Sequence, residues 1–60
     1  MRVLTINELM RLTRKELCDL AARITTLLAI YREGSPGRTA ALINLRNITR
    51  ILAGRELTLG

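Results

Sequence analysis

The chain has 60 residues, and ten Lys or Arg side chains against five Asp or Glu give a net charge of +5 and a pI near 11.2. A chain this short forms one domain that buries only about 60% of its unfolded surface, so it relies on disulfides, a metal or self-association. One cysteine and no histidine exclude an internal disulfide and a Cys/His zinc site, which leaves self-association.

The composition predicts a helical core, from its apolar residues, and a binding role, from its basic charge. They make up 48% of the chain, yet Tyr31 is the only aromatic, so the core consists of aliphatic side chains typical of helix-on-helix packing. The basic charge favours an acidic partner, with nucleic acid, anionic lipid and acidic protein as the classes. No stretch approaches the roughly 18 apolar residues of a membrane span. A free thiol and no targeting segment lead us to expect a cytoplasmic protein.

Two helix starts are predicted near the N-terminus. The pattern Leu-Thr-x-x-Glu-Leu occurs twice, beginning at Leu4 and at Leu12. In each copy the Thr hydroxyl can accept from the backbone N–H three residues later, while the Glu reaches back to the Thr N–H, which is a capping box. The copies predict a short helix over about 6–12 and a new helix beginning at residue 14. One helix running through Thr13 is the alternative.

A long helix over about 14–33 is the central predicted element. Its apolar stripe follows alternating steps of three and four and consists of Leu17, Leu20, Ile24, Leu27 and Tyr31. Gly34 is the predicted stop. Beside this stripe runs a line of small residues that would allow another helix to approach closely: Cys18, Ala22, Thr25 and Ala29.

The residues after Gly34 predict a tight turn and a third helix. Ser35 can cap that helix and Pro36 fits its first position, so the helix should span 36–53 with Gly54 as its stop. Its apolar line consists of Ala41, Leu45, Ile48 and Leu52. Residues 55–60 are either a disordered tail or a short strand paired with residues 2–5.

The predicted fold class is therefore all-α, a single domain over residues 1–60. A short N-terminal helix precedes a long antiparallel helical hairpin, and two hairpins dimerise into a four-helix bundle. Apolar and small residues off the main seam form the predicted homodimer interface: Cys18, Ala22, Thr25, Ala29, Ile30, Ile43 and Ile51. A monomer whose short helix and tail close the core is the alternative.

The chemistry of the chain favours binding over catalysis. There is no histidine and no glycine-rich phosphate loop, and we expect Cys18 to be a buried, inert thiol without a base. No metal, cofactor or catalytic residue is predicted. Between Gly34 and Arg55 there is no acidic residue. The predicted nucleic-acid-binding residues lie in this basic half: Arg38, Arg46, Asn47, Arg50 and Arg55.

We therefore expect a small, non-enzymatic regulatory protein that associates with nucleic acid through a basic helical face. The alternative is a protein-protein interaction adaptor or oligomerisation module without nucleic-acid contact. A helix-turn-helix requires shorter, steeply crossing helices, and a ribbon-helix-helix requires a clear N-terminal strand, so neither motif is indicated. Binding to an anionic membrane surface has less support, because the strongest apolar stripes are needed for folding.

Overall fold

The protein folds into three helices. The computed structural model describes residues 1–59, and side chains are described for residues 1–56. The helices are α1 (Ile6–Met10), α2 (Arg14–Leu28) and α3 (Pro36–Leu59). Residues 1–59 contain no strand. The all-α prediction is confirmed.

Both predicted capping boxes are present. The Thr5 hydroxyl accepts from the Glu8 backbone N–H at 3.1 Å, and the Glu8 carboxylate accepts from the Thr5 N–H at 3.0 Å. The corresponding distances between Thr13 and Glu16 are 3.1 and 2.9 Å. Since Thr13 has the extended conformation of an N-cap, the alternative of one continuous helix is wrong. The first helix ends at Met10, two residues before the predicted end.

The second helix ends at Leu28, so the predicted extension to residue 33 is wrong. The hydroxyls of Thr25 and Thr26 donate to the carbonyls four residues back, but the Thr49 hydroxyl does the same within α3, so these bonds do not determine the end of α2. The carbonyl of Leu28 instead accepts from the Arg38 guanidinium at 2.8 Å. A side chain from α3 thus satisfies a carbonyl that would otherwise lack a partner.

The connection between α2 and α3 closes in a four-residue turn. The Ser35 N–H donates to the Arg32 carbonyl at 3.2 Å. Gly34, at the third position, has a φ of +78°, which a type II turn requires there. The Ser35 hydroxyl accepts from the Arg38 N–H at 3.2 Å, which confirms the predicted cap of α3. Gly34 therefore acts within the turn and does not terminate α2 directly.

The third helix continues through Gly54 to Leu59, which contradicts the predicted stop at Gly54 and the tail over 55–60. A glycine costs a helix interior only about 1 kcal/mol relative to alanine. Two side chains beyond it make contacts that favour the continued helix: Arg55 donates to the carbonyls of Met10 and Leu12, and Glu56 pairs with Arg14. Gly60 lies outside the described residues.

The N-terminal segment is extended but is not part of a sheet. Asn44 of α3 accepts from the Leu4 N–H at 2.8 Å and donates to the Arg2 carbonyl at 2.9 Å. These bonds occupy the backbone groups that a paired strand would use. The alternative pairing of residues 2–5 with the C-terminal tail is therefore wrong.

The core joins all three helices. Its fully buried apolar side chains are Leu9, Leu17, Ile24, Ala41 and Ile48. The start of α2 lies beside the end of α3, where Arg14 pairs with Glu56 at 3.1 Å. The end of α2 lies beside the start of α3, through the bond between Arg38 and Leu28. Among the described residues, no helix has both the length and the apolar character needed to cross a bilayer.

Candidate nucleic-acid interface

Two of the five predicted nucleic-acid-binding residues make intramolecular contacts. Arg38 is half-buried and donates to the Leu28 carbonyl at 2.8 Å. Arg55 is also half-buried and donates to the carbonyls of Met10 at 3.1 Å and Leu12 at 2.9 Å. Both guanidinium groups satisfy carbonyls at helix C-termini, where a positive charge is favourable. Their first role is therefore to join helix ends.

The other two arginines project into solvent. Arg46 and Arg50 are exposed and lie one helical turn apart on α3, opposite the buried Ala41 and Ile48. Neither side chain has a hydrogen bond or an ion pair with any residue in the described part of the chain. Asn47 is half-buried and lies on the flank of this pair. Among the predicted site residues, Arg46 and Arg50 are therefore the two whose side chains are exposed, with Asn47 beside them.

Three of the five acidic side chains pair with basic side chains away from Arg46 and Arg50. Arg2 forms a two-point contact with the Glu8 carboxylate at 2.6 and 3.1 Å, and Lys15 approaches Asp19 to 3.9 Å. The Arg2 guanidinium, followed by the Thr5 backbone N–H, lowers the pKa of Glu8 from 4.5 to about 2. With the Arg14–Glu56 pair already described, this distribution of charges leaves Arg46 and Arg50 without a neutralising carboxylate.

One important residue was not predicted. Asn44 is fully buried, and its amide holds the N-terminal segment through Leu4 and Arg2. The sequence contained a signal, because Asn44 follows Ala41 by three residues and precedes Ile48 by four, on the apolar face of α3. A buried amide on such a face requires hydrogen-bond partners. The sequence did not show that these partners were backbone groups some 40 residues away.

The predicted dimer interface divides into two groups. Its members on α2 and just beyond it are all exposed, namely Cys18, Ala22, Thr25, Ala29 and Ile30. Its α3 members are half-buried, namely Ile43 and Ile51, and Ile51 packs against the core. The expectation that Cys18 is buried is wrong, because the stripe that enters the core passes through Leu17 and leaves Cys18 on the outside.

A shallow depression lies on the outward side of α2. Its lining is almost wholly apolar and is formed by Ala22, Arg23, Thr26 and Leu27. The depression is open to solvent and carries no cluster of polar groups that would orient a small ligand. It is better suited to contact with another surface than to enclosure of a substrate.

Comparisons with protein-family models, curated proteins and solved structures find no match to this chain.

Proposed function

We propose that this protein is a small, non-enzymatic regulatory binding protein that associates with nucleic acid through α3. The observation that carries the proposal is the exposed pair Arg46 and Arg50, one turn apart and without an acidic partner in the described part of the chain. Guanidinium groups bind phosphate oxygens with two parallel hydrogen bonds, which suits this pair to a phosphate backbone. We also propose a cytoplasmic location, because the free thiol of Cys18 is suited to a reducing compartment.

The contact should be mainly with phosphates. Two arginines supply few base-edge contacts, and Asn47 is partly covered by its own domain. Arg38 and Arg55, which would have extended the basic face, donate to backbone carbonyls. Phosphate contacts position a protein on nucleic acid but carry little sequence information. We therefore expect binding that depends strongly on salt and weakly on sequence.

Fluorescence anisotropy with labelled duplex DNA and single-stranded RNA of mixed sequence tests this proposal. Each phosphate contact contributes about −0.9 to the slope of log K against log salt on duplex DNA. Replacing both Arg46 and Arg50 by Gln should reduce the slope by about 2. It should also weaken low-salt binding at least tenfold.

The matched control replaces two other exposed arginines, Arg23 and Arg32, by Gln. This variant has the same net charge as the first, so a general loss of positive charge affects both equally. Nucleic-acid binding through α3 requires the Arg46/Arg50 variant to lose much more affinity than the control. Equal losses, or a dissociation constant no better than millimolar for the unmodified protein at low salt, would refute the proposal.

The alternative function is protein contact, as an adaptor or oligomerisation module. In this form the antiparallel hairpin of α2 and α3 associates with a second hairpin into a four-helix bundle. The observation that favours it is the exposure of the small residues along α2, including Cys18, Ala22 and Thr25. Sedimentation velocity tests it, since a mass of 6.7 kDa at every concentration would exclude self-association.

A further inference from the structure

Exposed apolar side chains are concentrated in the first ten residues. Among the side chains that the structure describes, six large apolar ones are exposed, and four of them lie in this short stretch: Met1, Val3, Ile6 and Met10. The other two are Ile30, which follows α2, and Leu42, which lies within α3. Single exposed apolar residues are ordinary, whereas several on one short segment indicate a contact surface.

Other side chains join this part of the chain to the core. They are Leu4 before α1, Leu9 within it and Leu12 after it. Since Leu4 lies in an extended segment and packs on the core, the side chain of Val3 next to it projects to the opposite side. Membrane-surface binding had less support from the sequence because the strongest apolar stripes are needed for folding. That reason does not apply to Val3, which lies outside those stripes, or to the exposed side chains of α1.

Ile6 and Met10 lie side by side on α1. They are four residues apart and therefore occupy one side of the helix, where they are 47% and 59% exposed. Glu8 is two residues from each of them, which places it about 200° around the helix. Its carboxylate is held there by the Arg2 guanidinium. The acidic side chain of α1 is therefore paired, and it lies on the side opposite Ile6 and Met10.

A basic side chain directly follows this apolar pair. Arg11 is next to Met10, is exposed, and forms no ion pair within the described part of the chain. Its backbone is held in place, because Arg55 donates to the carbonyls of Met10 and Leu12 on either side of it. The long apolar stem of an arginine lets its charged head stay in a polar layer while neighbouring side chains enter an apolar one.

The charge and shape of this surface favour an anionic lipid bilayer as its partner. A chain of net charge +5 is attracted to anionic lipid, whereas the unpaired Arg11 beside the apolar pair disfavours contact with the same surface of a second copy. A partner helix is usually bound in a groove, and the depression described above lies on α2, not on α1. A bilayer requires no groove, because apolar side chains that project outward can enter its interface directly.

We propose that the exposed side of α1 inserts into the interface of an anionic lipid bilayer. Ile6 and Met10 enter the boundary of the acyl chains, and Arg11 contacts the lipid phosphates. Val3 adds apolar area from the segment before the helix. Insertion is shallow, because these side chains belong to an extended segment and a helix of five residues. The contact uses none of the residues proposed for nucleic-acid binding and is therefore independent of that function.

Vesicle flotation with matched variants tests the proposal, with circular dichroism confirming that each variant is folded. We expect the unmodified chain to bind vesicles of phosphatidylcholine mixed with phosphatidylserine, and not phosphatidylcholine alone. Replacing both Ile6 and Met10 by Gln should weaken that binding at least about tenfold, because both apolar contacts with lipid are lost. The control replaces Ile30 and Leu42 by Gln, which removes the other two exposed apolar side chains at the same net charge and should leave binding unchanged. Arg11→Gln keeps the apolar side chains and should weaken binding about fivefold.

Several results would overturn the proposal. They are no binding to the mixed vesicles, equal losses in the two apolar variants, equal binding to both kinds of vesicle, and unchanged binding by Arg11→Gln. Lipid binding that requires Arg46 and Arg50 but not Ile6 and Met10 would assign it to α3 and also overturn the proposal. Anisotropy with duplex DNA keeps the two functions apart, since the variant of Ile6 and Met10 should retain the nucleic-acid affinity of the unmodified chain.

Discussion

Replacing Asn44 by Leu should release the N-terminal segment. The Asn44 amide is fully buried and makes two hydrogen bonds, at 2.8 Å with the Leu4 N–H and at 2.9 Å with the Arg2 carbonyl. Leucine has the same number of side-chain heavy atoms, branched at the same position, but provides neither bond. Each hydrogen bond contributes about 0.5–1.5 kcal/mol net, and a group left buried without a partner costs about 1–3 kcal/mol.

The expected loss of unfolding free energy for Asn44→Leu is about 2 kcal/mol. The loss stays below the upper end of the range of about 1–3 kcal/mol for an unpaired buried group, because the backbone groups of the released segment can bind water. A domain of this size has only about 3–5 kcal/mol in total, so the change removes a large part of its stability. Urea denaturation followed by circular dichroism measures the loss, and amide exchange at Leu4 reports the release directly.

Asn47→Leu is the matched control for this experiment. Asn47 is half-buried on the same helix and has no side-chain hydrogen bond within the described residues, so the same substitution changes helix propensity but breaks no bond. We expect its stability to stay within about 0.5 kcal/mol of the unmodified protein. The reasoning fails if Asn44→Leu is as stable as Asn47→Leu, or if the Leu4 amide remains protected in Asn44→Leu.

Two further predictions concern Glu8 and the glycines. Because the folded pKa of Glu8 lies at about 2, its contribution is fully present above its ordinary pKa of 4.5 and is lost as pH falls towards 2. A carboxyl-carbon NMR titration should give a midpoint near 2 that rises in Arg2→Gln, and a midpoint near 4.5 in the unmodified protein contradicts the Arg2 contact. Gly54→Ala should raise the unfolding free energy by about 1 kcal/mol, since the helix continues there and an added methyl group meets no atom within 4 Å. Gly34→Ala should lower it by about 1 kcal/mol, because its φ is +78°. In urea denaturation, a destabilising Gly54→Ala would show that the helix ends at Gly54 after all.

The helix starts were readable from the sequence because their signals are local. A capping box needs only a Thr and a Glu three residues later, and both boxes formed as predicted. Ser35 before Pro36 likewise determined the start of α3. The apolar stripe identified Leu17 and Ile24 as buried residues, since the helical period places them on one face.

The helix ends depended on contacts with distant parts of the chain. α2 ends at Leu28, where Arg38 binds its carbonyl, and α3 passes Gly54 because Arg55 and Glu56 find partners near α1 and α2. A local stop signal costs only about 1 kcal/mol, so a few tertiary contacts can override it. The sequence pattern could not contain these contacts, because each depends on where another helix lies.

The candidate site likewise has some features that the local sequence determines and others that depend on tertiary contacts. The sequence by itself determined the charge, the absence of acidic residues between Gly34 and Arg55, and the placement of Arg46 and Arg50 on the outward face of α3. Only the tertiary structure decided that Arg38 and Arg55 bind helix ends and that Asn44 holds the N-terminal segment. The physical reason is that composition and helical period are properties of neighbouring residues. The partner of a buried amide or a guanidinium group is chosen by the packing of the whole chain.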